Sequence, residues 1–516
     1  MIRISGPACL AIYHTLCPGK KSPKVRTAVV RTLYEPHDAP TPDSILDSSA
    51  LVLFFPSPRT ATGQDVLELH VHGGPAIVKA VLAAIPRCAV HGSSHIRYAE
   101  PGEFTKRAFL NDRLDLTQVE ALGDTLAAST EQQRRLSVRG TTGTLSKSYE
   151  AWRQQLLYAR GELEALIDFS EDQHFDESPV ELCASVASQV SALKGLLQVH
   201  CANAVRGELL RNGITLSLLG APNAGKSSLL NRVVGREAAI VSREAGTTRD
   251  VVEVGLDLGG YLCRLGDTAG LRNAKGGKVA RPGETVGEIE REGIRRAKER
   301  ATESDVVIVV VSFEMTEDGT VYCDLDPEVV TTAASLVRTN DNVIIALNKS
   351  DLASEDDATA ARKAILSALP GLSSDRIHLI SCTGGNARTS TVPGTGKDVG
   401  NIQAFLQALT QHFSTLTAAL TLAGEDDQSI WQESLGASER HRLLLQACIE
   451  SLDSFLAEVY ATDTEIDGQE HEPDIVVAAE HLRSAADCLA KITGQGMAGD
   501  VEEVLGVVFE KFCVGK

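Results

Sequence analysis

The segment Gly220-Ala-Pro-Asn-Ala-Gly-Lys-Ser227 constrains the fold more than any other stretch of the chain. It fits G-x-x-x-x-G-K-[ST], follows the apolar run Ile214-Thr-Leu-Ser-Leu-Leu219 and leads into Ser228-Leu-Leu230, an apolar helix start. Strand, glycine-rich turn and helix, in that order, are the setting in which such a loop cradles phosphates. The glycines let backbone N–H groups turn toward phosphate oxygens, Lys226 offers a point charge, and the Ser227 hydroxyl can ligate Mg²⁺. Strand-like runs recur at Val306–Val311 and Val343–Leu347 between helical stretches, so residues 213–415 are expected to form an α/β domain on a mainly parallel sheet.

Further elements follow in the order a GTPase needs. Asp267-Thr268-Ala269-Gly270 comes after the strand-like Tyr261–Leu265, which puts a carboxylate near the magnesium and a glycine N–H near a γ-phosphate. Asn348-Lys349-Ser350-Asp351 follows Val343–Leu347, and the Asp351 carboxylate can accept from guanine N1–H and N2–H, a pairing adenine does not offer. Ser381-Cys382-Thr383, after Ile377–Ile380, fits the last loop that contacts the base. Between the phosphate loop and Asp267 lies Gly246-Thr247-Thr248-Arg249-Asp250, where Thr248 can reach Mg²⁺ and the γ-phosphate as a switch residue. Leu271 stands where Ras-like enzymes carry the glutamine that orients the attacking water, so another group must complete catalysis. Asn223, which can help hold a monovalent cation, and the ionisable Glu290 and Arg249 are the candidates.

Around this domain the pattern changes. Residues 1–115 mix short apolar runs with Pro and Gly breaks and read as α+β. Residues 116–212 and 416–516 carry apolar residues at helical spacing, so the α/β domain is expected to be inserted into a helical one. The polar stretches 273–283 and 383–400 read as loops. The longest apolar run, around Val306–Val311, is far short of the roughly 18–20 residues that cross a bilayer, so no membrane span is expected. With 50 basic and 69 acidic residues the formal charge is −19, which repels polyanions as a whole and requires a local basic patch wherever nucleic acid binds. Eleven cysteines without a C-x-x-C pair suit a reducing compartment. The start at Met1-Ile2-Arg3-Ile4 shows no targeting segment. His70 and His72 fall on one face of a strand-like run, but no third ligand is spaced to make a metal site of them.

Other stretches carry a family resemblance over nearly the whole length. Ile2–Gly6, Gly63–Leu69, His72–Pro75, Pro101–Phe104 and Arg107–Leu116 resemble the N-terminal folate-binding domain of the MnmE (TrmE) family of tRNA-modifying GTPases, and Phe512-Cys-Val-Gly-Lys516 resembles its C-terminal signature. The resemblance implies a multidomain α/β protein: an N-terminal α+β domain for tetrahydrofolate and dimerisation, a discontinuous helical domain, and an inserted Ras-like P-loop GTPase domain. It implies a homodimer whose GTP hydrolysis is stimulated by potassium. The GTP site would comprise Asn223, Ala224, Gly225, Lys226, Ser227, Ser228, Ser242, Arg243, Glu244, Ala245, Gly246, Thr247, Thr248, the 267–270 and 381–383 loops, Asn348, Lys349 and Asp351.

Within that set, Asn223, Ser242, Glu244 and Thr247 would surround K⁺, Ser227 and Thr248 would hold Mg²⁺, and Glu290 matches the carboxylate that organises the water network. Arg3, Glu68, Arg113 and Lys516 match folate-contacting positions, with Arg113 where a lysine is common. Cys513 is a further catalytic candidate, against the simpler reading of a buried thiol. Members work with a MnmG-type FAD/NADH flavoprotein to modify C5 of the wobble uridine of tRNAs, using a one-carbon unit from 5,10-methylene- or 5-formyl-tetrahydrofolate. They carry a strand and a Gly-rich loop before the segment matched by Ile2–Gly6, so the chain is expected to start partway into that domain. The two loop insertions suit a mitochondrial (matrix) member, with a cytoplasmic location if the chain is bacterial. The competing expectation is a ribosome-assembly GTPase, an RNA-binding switch that shares the phosphate loop, the Thr-Thr-Arg-Asp run and Leu271.

Overall fold

A computed structural model describes residues 1–89, 96–169, 179–236, 239–245, 252–265, 298–339, 342–383, 400–422, 428–460 and 473–494. Along the chain the elements are β1 (Ile2–Ser5), α1 (Cys9–Leu16), β2 (Val29–Tyr34), β3 (Ile45–Phe55), β4 (Val66–His70), α2 (Pro75–Arg87), α3 (Glu103–Leu110), α4 (Leu116–Ala127), α5 (Glu131–Gly140), α6 (Thr144–Phe169), α7 (Pro179–Asn212), β5 (Ile214–Leu219) and α8 (Lys226–Arg236). Then come β6 (Ala239–Ala245), β7 (Val252–Leu258), β8 (Tyr261–Leu265), β9 (Val306–Met315), β10 (Val321–Asp324), α9 (Pro327–Thr339), β11 (Val343–Asn348), α10 (Glu355–Ala368), β12 (Ile377–Leu379), α11 (Ile402–Leu416), α12 (Gln428–Ser434), α13 (Glu439–Tyr460) and α14 (Ile475–Thr493). Residues 1–126, 140–198 and 440–516 form one compact unit, and 127–139 with 199–439 form a second.

In the first unit, β1 to β4 make an antiparallel sheet in the order β1-β4-β3-β2. Cys9, Ile12, Tyr13 and Leu16 of α1 and Val81, Ala84 and Ile85 of α2 share one buried cluster with Val52, Leu67 and Leu69 of the strands. The helical stretch expected from Leu116 onward is three helices, and Gly143, at φ +75°, takes the backbone that separates the second from the third. Gly140 lies so close to α4 that a Cβ there would fall 2.7 Å from the Ala121 Cβ. Glu120 of α4 accepts from Arg440 Nε at 2.7 Å and forms an ion pair with His441, Nε2 to Oε2 at 2.8 Å, and Arg440 also donates to the carbonyls of Lys491 and Ile492 at 3.0 and 2.9 Å, capping the last turn of α14. Burial alone would raise the Glu120 carboxyl, but the charges of His441 and Arg440 hold it well below the usual carboxylate range.

The second unit is built on an eight-stranded sheet in the order β12-β11-β9-β5-β8-β7-β6, with β10 paired to β9. The pairs β5–β8, β5–β9, β9–β11 and β11–β12 are parallel. β9 and β11 are buried on both faces, as the continuous apolar runs require. One face packs Leu229, Leu230, Phe405, Leu409 and Phe413, and the other packs Val329, Leu336, Ile365 and Leu369. β9 outruns its expected end at Val311 to reach Met315, and β10 folds back on it antiparallel.

The expectation of no membrane span meets one helix that qualifies by length and composition, Glu181–Asn212 within α7. Its residues Cys183, Val186, Val190, Leu193 and Leu197 are buried at three- and four-residue spacing, the pattern of a helix packed on one side. Lys194 on the same helix forms an ion pair with Asp453. No long apolar run marks α7 in the sequence, because Ser, Gln, Lys and Asn interrupt its apolar residues.

Candidate functional site

The chain runs from β5 to β8 on one side of β5 and to β9, β11 and β12 on the other, so the sheet changes direction at β5. In open α/β sheets a ligand sits outside the carboxyl ends of the strands at such a point. The loop 220–225 leaves β5 there and enters α8 at Lys226, so the first N–H groups of that helix face the loop. Two glycines shape the turn. A Cβ on Gly220 would fall 2.4 Å from the Val310 carbonyl oxygen, and one on Gly225, at φ +102°, would fall 2.0 Å from Asn348 Nδ2. Asn223, at φ +64°, is exposed at the tip, as are Ser227 and Ser228 on the first turn of α8. Lys226 Nζ donates to the carbonyls of Gly220 and Ala221, both at 2.7 Å, and burial pushes its ammonium pKa down. A cation short of solvent at a helix N-terminus is matched to an anionic phosphate.

Asn348 ends β11 and is 2% exposed. Its Nδ2 donates to the Ala224 carbonyl at 2.9 Å, and its Oδ1 accepts from the Cys382 N–H at 3.2 Å, so one side chain joins the phosphate loop to the 381–383 loop. The Ser381 hydroxyl donates to Asp351 Oδ1 at 2.5 Å and the Thr383 hydroxyl to Oδ2 at 3.2 Å. The Ser381 bond, with that of Thr383 and the Lys349 charge, holds the Asp351 carboxyl below its ordinary value. An ionised carboxylate at an exposed strand end, with lone pairs to spare, can accept two parallel N–H bonds from a base edge. Burial pushes the Cys382 thiol up to about 11, so it stays protonated beside this carboxylate.

Two features of this arrangement escaped the sequence. Lys349, at φ +60°, forms an ion pair with Glu314 of β9, whose Oε1 also accepts from the Ser312 hydroxyl at 2.9 Å. Gly400 accepts from the Ser381 N–H at 2.9 Å and sits where a Cβ would fall 2.2 Å from the Ser381 carbonyl oxygen. Neither Glu314 nor Gly400 stands in a local pattern with the residue it serves.

Ser242, Arg243, Glu244 and Ala245 lie on β6, in register with Gly255, Val254, Glu253 and Val252 of β7. Gly246, Thr247, Thr248, Arg249, Asp267, Thr268, Ala269, Gly270, Glu290, Cys513 and Lys516 lie outside the described residues, as does the 273–283 stretch.

At the other candidate site, Arg3 and Glu68 are direct cross-strand partners on β1 and β4, bonded at 2.7 Å. Arg113 donates to the Thr60 carbonyl at 3.2 Å, and a Cβ on Gly63 would fall 3.3 Å from its Cγ. The structure thus joins Arg3 to Glu68 and places Arg113 separately, against the Thr60–Gly63 loop. His70 ends β4 with Nε2 3.5 Å from Glu68, whereas His72 lies beyond the strand and bonds Asp47 at 2.9 Å, so the two do not share a strand face. Among the described residues no cluster of His, Cys, Asp and Glu could hold a metal.

The profile of the MnmE helical domain matches residues 116–513, and that of the GTP-binding protein TrmE N-terminus matches residues 1–113. The tRNA modification GTPase MnmE of Paramagnetospirillum magneticum is 39% identical over 474 residues, covering 92% of this chain and 87% of that protein. The mitochondrial tRNA modification GTPase MSS1 of Saccharomyces cerevisiae is 34% identical, and the mitochondrial 5-taurinomethyluridine-[tRNA] synthase subunit GTPB3 of Homo sapiens is 35% identical. Both alignments cover 100% of this chain and 90% of the relative. Among solved structures, the G domain of the T. maritima FeoB iron transporter aligns over 39% of this chain and 98% of its own at 16% identity, with a TM-score of 0.22. Family profiles over both parts of the chain, with relatives above 30% identity along its length, establish that the chain belongs to the MnmE/TrmE family.

Proposed function

We propose that the protein hydrolyses GTP in the course of tRNA modification, as the catalytic partner of a MnmG-type flavoprotein acting on C5 of the wobble uridine. The observation that carries the nucleotide part is the Asn348 bridge, which ties the phosphate loop to the loop that fixes Asp351. A phosphate grip and a guanine reader joined by one side chain suit a single nucleotide lying across both.

In this reading Gly225, Lys226 and the first turn of α8 bind the β- and γ-phosphates, and Asp351, Lys349 and the 381–383 loop read the base. Magnesium, when bound, neutralises charge developing on the phosphates; Ser227 and Thr248 would hold it, with Asp267 near. Potassium would be held by Asn223, Ser242, Glu244 and Thr247, adding positive charge where Leu271 leaves no glutamine to act. Glu290 orients the attacking water, with Arg249 beside the switch. A tetrahydrofolate derivative, when bound, supplies the one-carbon unit; Arg3, Glu68, Arg113 and Lys516 would hold it, and Cys513 is placed by its motif at the same chemistry. Domain limits at 115, 212 and 415, a homodimer joined through the N-terminal domains, and a mitochondrial location are part of the same proposal, the last supported by the names of the eukaryotic relatives.

The test is GTP hydrolysis by the purified protein in matched potassium and sodium buffers over a range of protein concentrations. Activity per molecule should rise with concentration and be selective for potassium. Hydrolysis indifferent to the cation would overturn the potassium mechanism.

A further inference from the structure

The second unit carries a cleft of about 510 Å³ that the nucleotide site does not use. One wall is a single face of α5, where Gln132, Arg135, Leu136 and Arg139 fall at the three- and four-residue spacing that aligns side chains along a helix. Facing them are Ser414, on the last turn of α11, and Thr421 beyond it, both with hydroxyls. Trp431 of α12 completes the lining. It is 1% exposed, its ring packs on His200, and its indole N–H is buried with no hydrogen-bond partner.

The chemistry of this lining is one-sided. Among the described residues it holds two guanidiniums and no Asp or Glu, and its other polar groups are hydroxyls, amides and the indole. Glu131, one turn before, bonds Arg134 at 2.8 Å and Arg135 at 2.7 Å, with side chains 44–59% exposed. Exposed pairs of this kind contribute little, so Arg135 can exchange Glu131 for a phosphate. The chain as a whole carries −19, so a polyanion has to be gripped by local cations rather than drawn in by the general field. The volume lies in the range of sites for small ligands, room for a nucleotide or two of one strand.

We infer that this cleft grips the phosphodiester backbone of a single-stranded stretch of the tRNA substrate, with Arg135 and Arg139 each on a phosphate. The inference rests on the proposed tRNA reading and adds where the RNA is held. Guanidiniums four residues apart on a helix stand about 5–6 Å apart at their Cβ atoms, close enough to follow one strand. Contacts to the backbone position the RNA without reading its sequence.

The test is tRNA binding to the full chain by filter retention across about 50–200 mM salt. Arg135→Gln with Arg139→Gln keeps side-chain length and helix propensity. It should weaken binding about tenfold or more at the low-salt end and lower the slope of log K against log salt by about 1.4, at about 0.7 per single-strand phosphate contact. Trp431→Phe, which keeps an aromatic ring and removes the N–H, should weaken binding about threefold through loss of its bond to a phosphate oxygen. GTP hydrolysis without RNA should stay within about twofold of wild type in the arginine variant, because neither arginine lines the nucleotide site. A double variant with wild-type affinity and slope, beside wild-type protein that binds, overturns the cleft and leaves the tRNA reading standing. Wild-type protein that retains no tRNA at any salt overturns both.

Discussion

Replacing Asn348 with alanine should uncouple the two halves of the nucleotide site. The substitution strands two groups at once, the Ala224 carbonyl and the Cys382 N–H, which Asn348 bonds at 2.9 and 3.2 Å. Each buried group left without a partner costs about 1–3 kcal/mol, so the pair is worth roughly 2–4 kcal/mol once some water reaches the gap. If that cost falls on the nucleotide-bound arrangement, Kd for GDP should rise about 30- to 1,000-fold.

In Gly225→Ala the new Cβ would fall 2.0 Å from Asn348 Nδ2, at a backbone φ of +102°. Alone it should carry both the backbone strain, about 1–3 kcal/mol, and the displacement of Asn348. In an Asn348→Ala background only the strain remains. The double variant should therefore cost less than the sum of the single ones by about 1–2 kcal/mol, measured by equilibrium binding of a fluorescent guanine nucleotide to all four proteins. Additivity within about 0.5 kcal/mol would refute the claim that Gly225 is small on account of Asn348.

Three further outcomes follow from the same geometry. Glu314→Gln should weaken guanine-nucleotide binding about two- to fivefold at low salt and hardly at all at high salt, because the Lys349–Glu314 pair is partly exposed; a loss independent of salt would deny the ion pair that role. Burial pushes the His200 imidazole from 6.5 down to about 4, so the unfolded chain binds the proton first as pH falls. Its contribution to stability is whole above about pH 6.5 and fades by ~3 kcal/mol toward pH 4; urea unfolding across that range should show the loss in wild type and much less of it in His200→Leu, and equal slopes in both proteins would refute it. Exchanging the cross-strand pair, Arg3→Glu with Glu68→Arg, should keep the melting temperature within about 2–4 °C of wild type while abolishing tetrahydrofolate binding in calorimetry; retained folate binding would show that the pair only holds the sheet.

What the sequence made legible was what physics writes locally. Ile214–Leu219 reads as a strand, residue for residue, because apolar residues recur at every second position, with the small Thr215 and Ser217 between them. Val306–Val311 reads short because the buried but polar Ser312 breaks the apolar run, and β9 leaves the core only at Glu314, where it continues by pairing with β10. The helical region from Leu116 reads as helix, but its glycines do not say which of them breaks it: Gly140 stays inside α5, where its missing Cβ lets the helix meet Ala121, whereas Gly143, at φ +75°, separates α5 from α6. In the nucleotide site, the motif residues from Gly220 to Ser227 and from Asn348 to Asp351 identify themselves by spacing. Glu314 lies far from Lys349 along the chain, and no pattern predicts that a carboxylate on one strand will anchor a lysine after another.

The bond from the Ser381 N–H to Gly400 closes the base of the 384–399 stretch. A loop whose two ends are already pinned side by side has met its closure cost, and each doubling of its length adds only about 0.6 kcal/mol. The chain can therefore gain or lose residues between those ends while the base-reading loop keeps its shape. A fluorescent or affinity sequence inserted between those two pinned ends should leave guanine recognition intact.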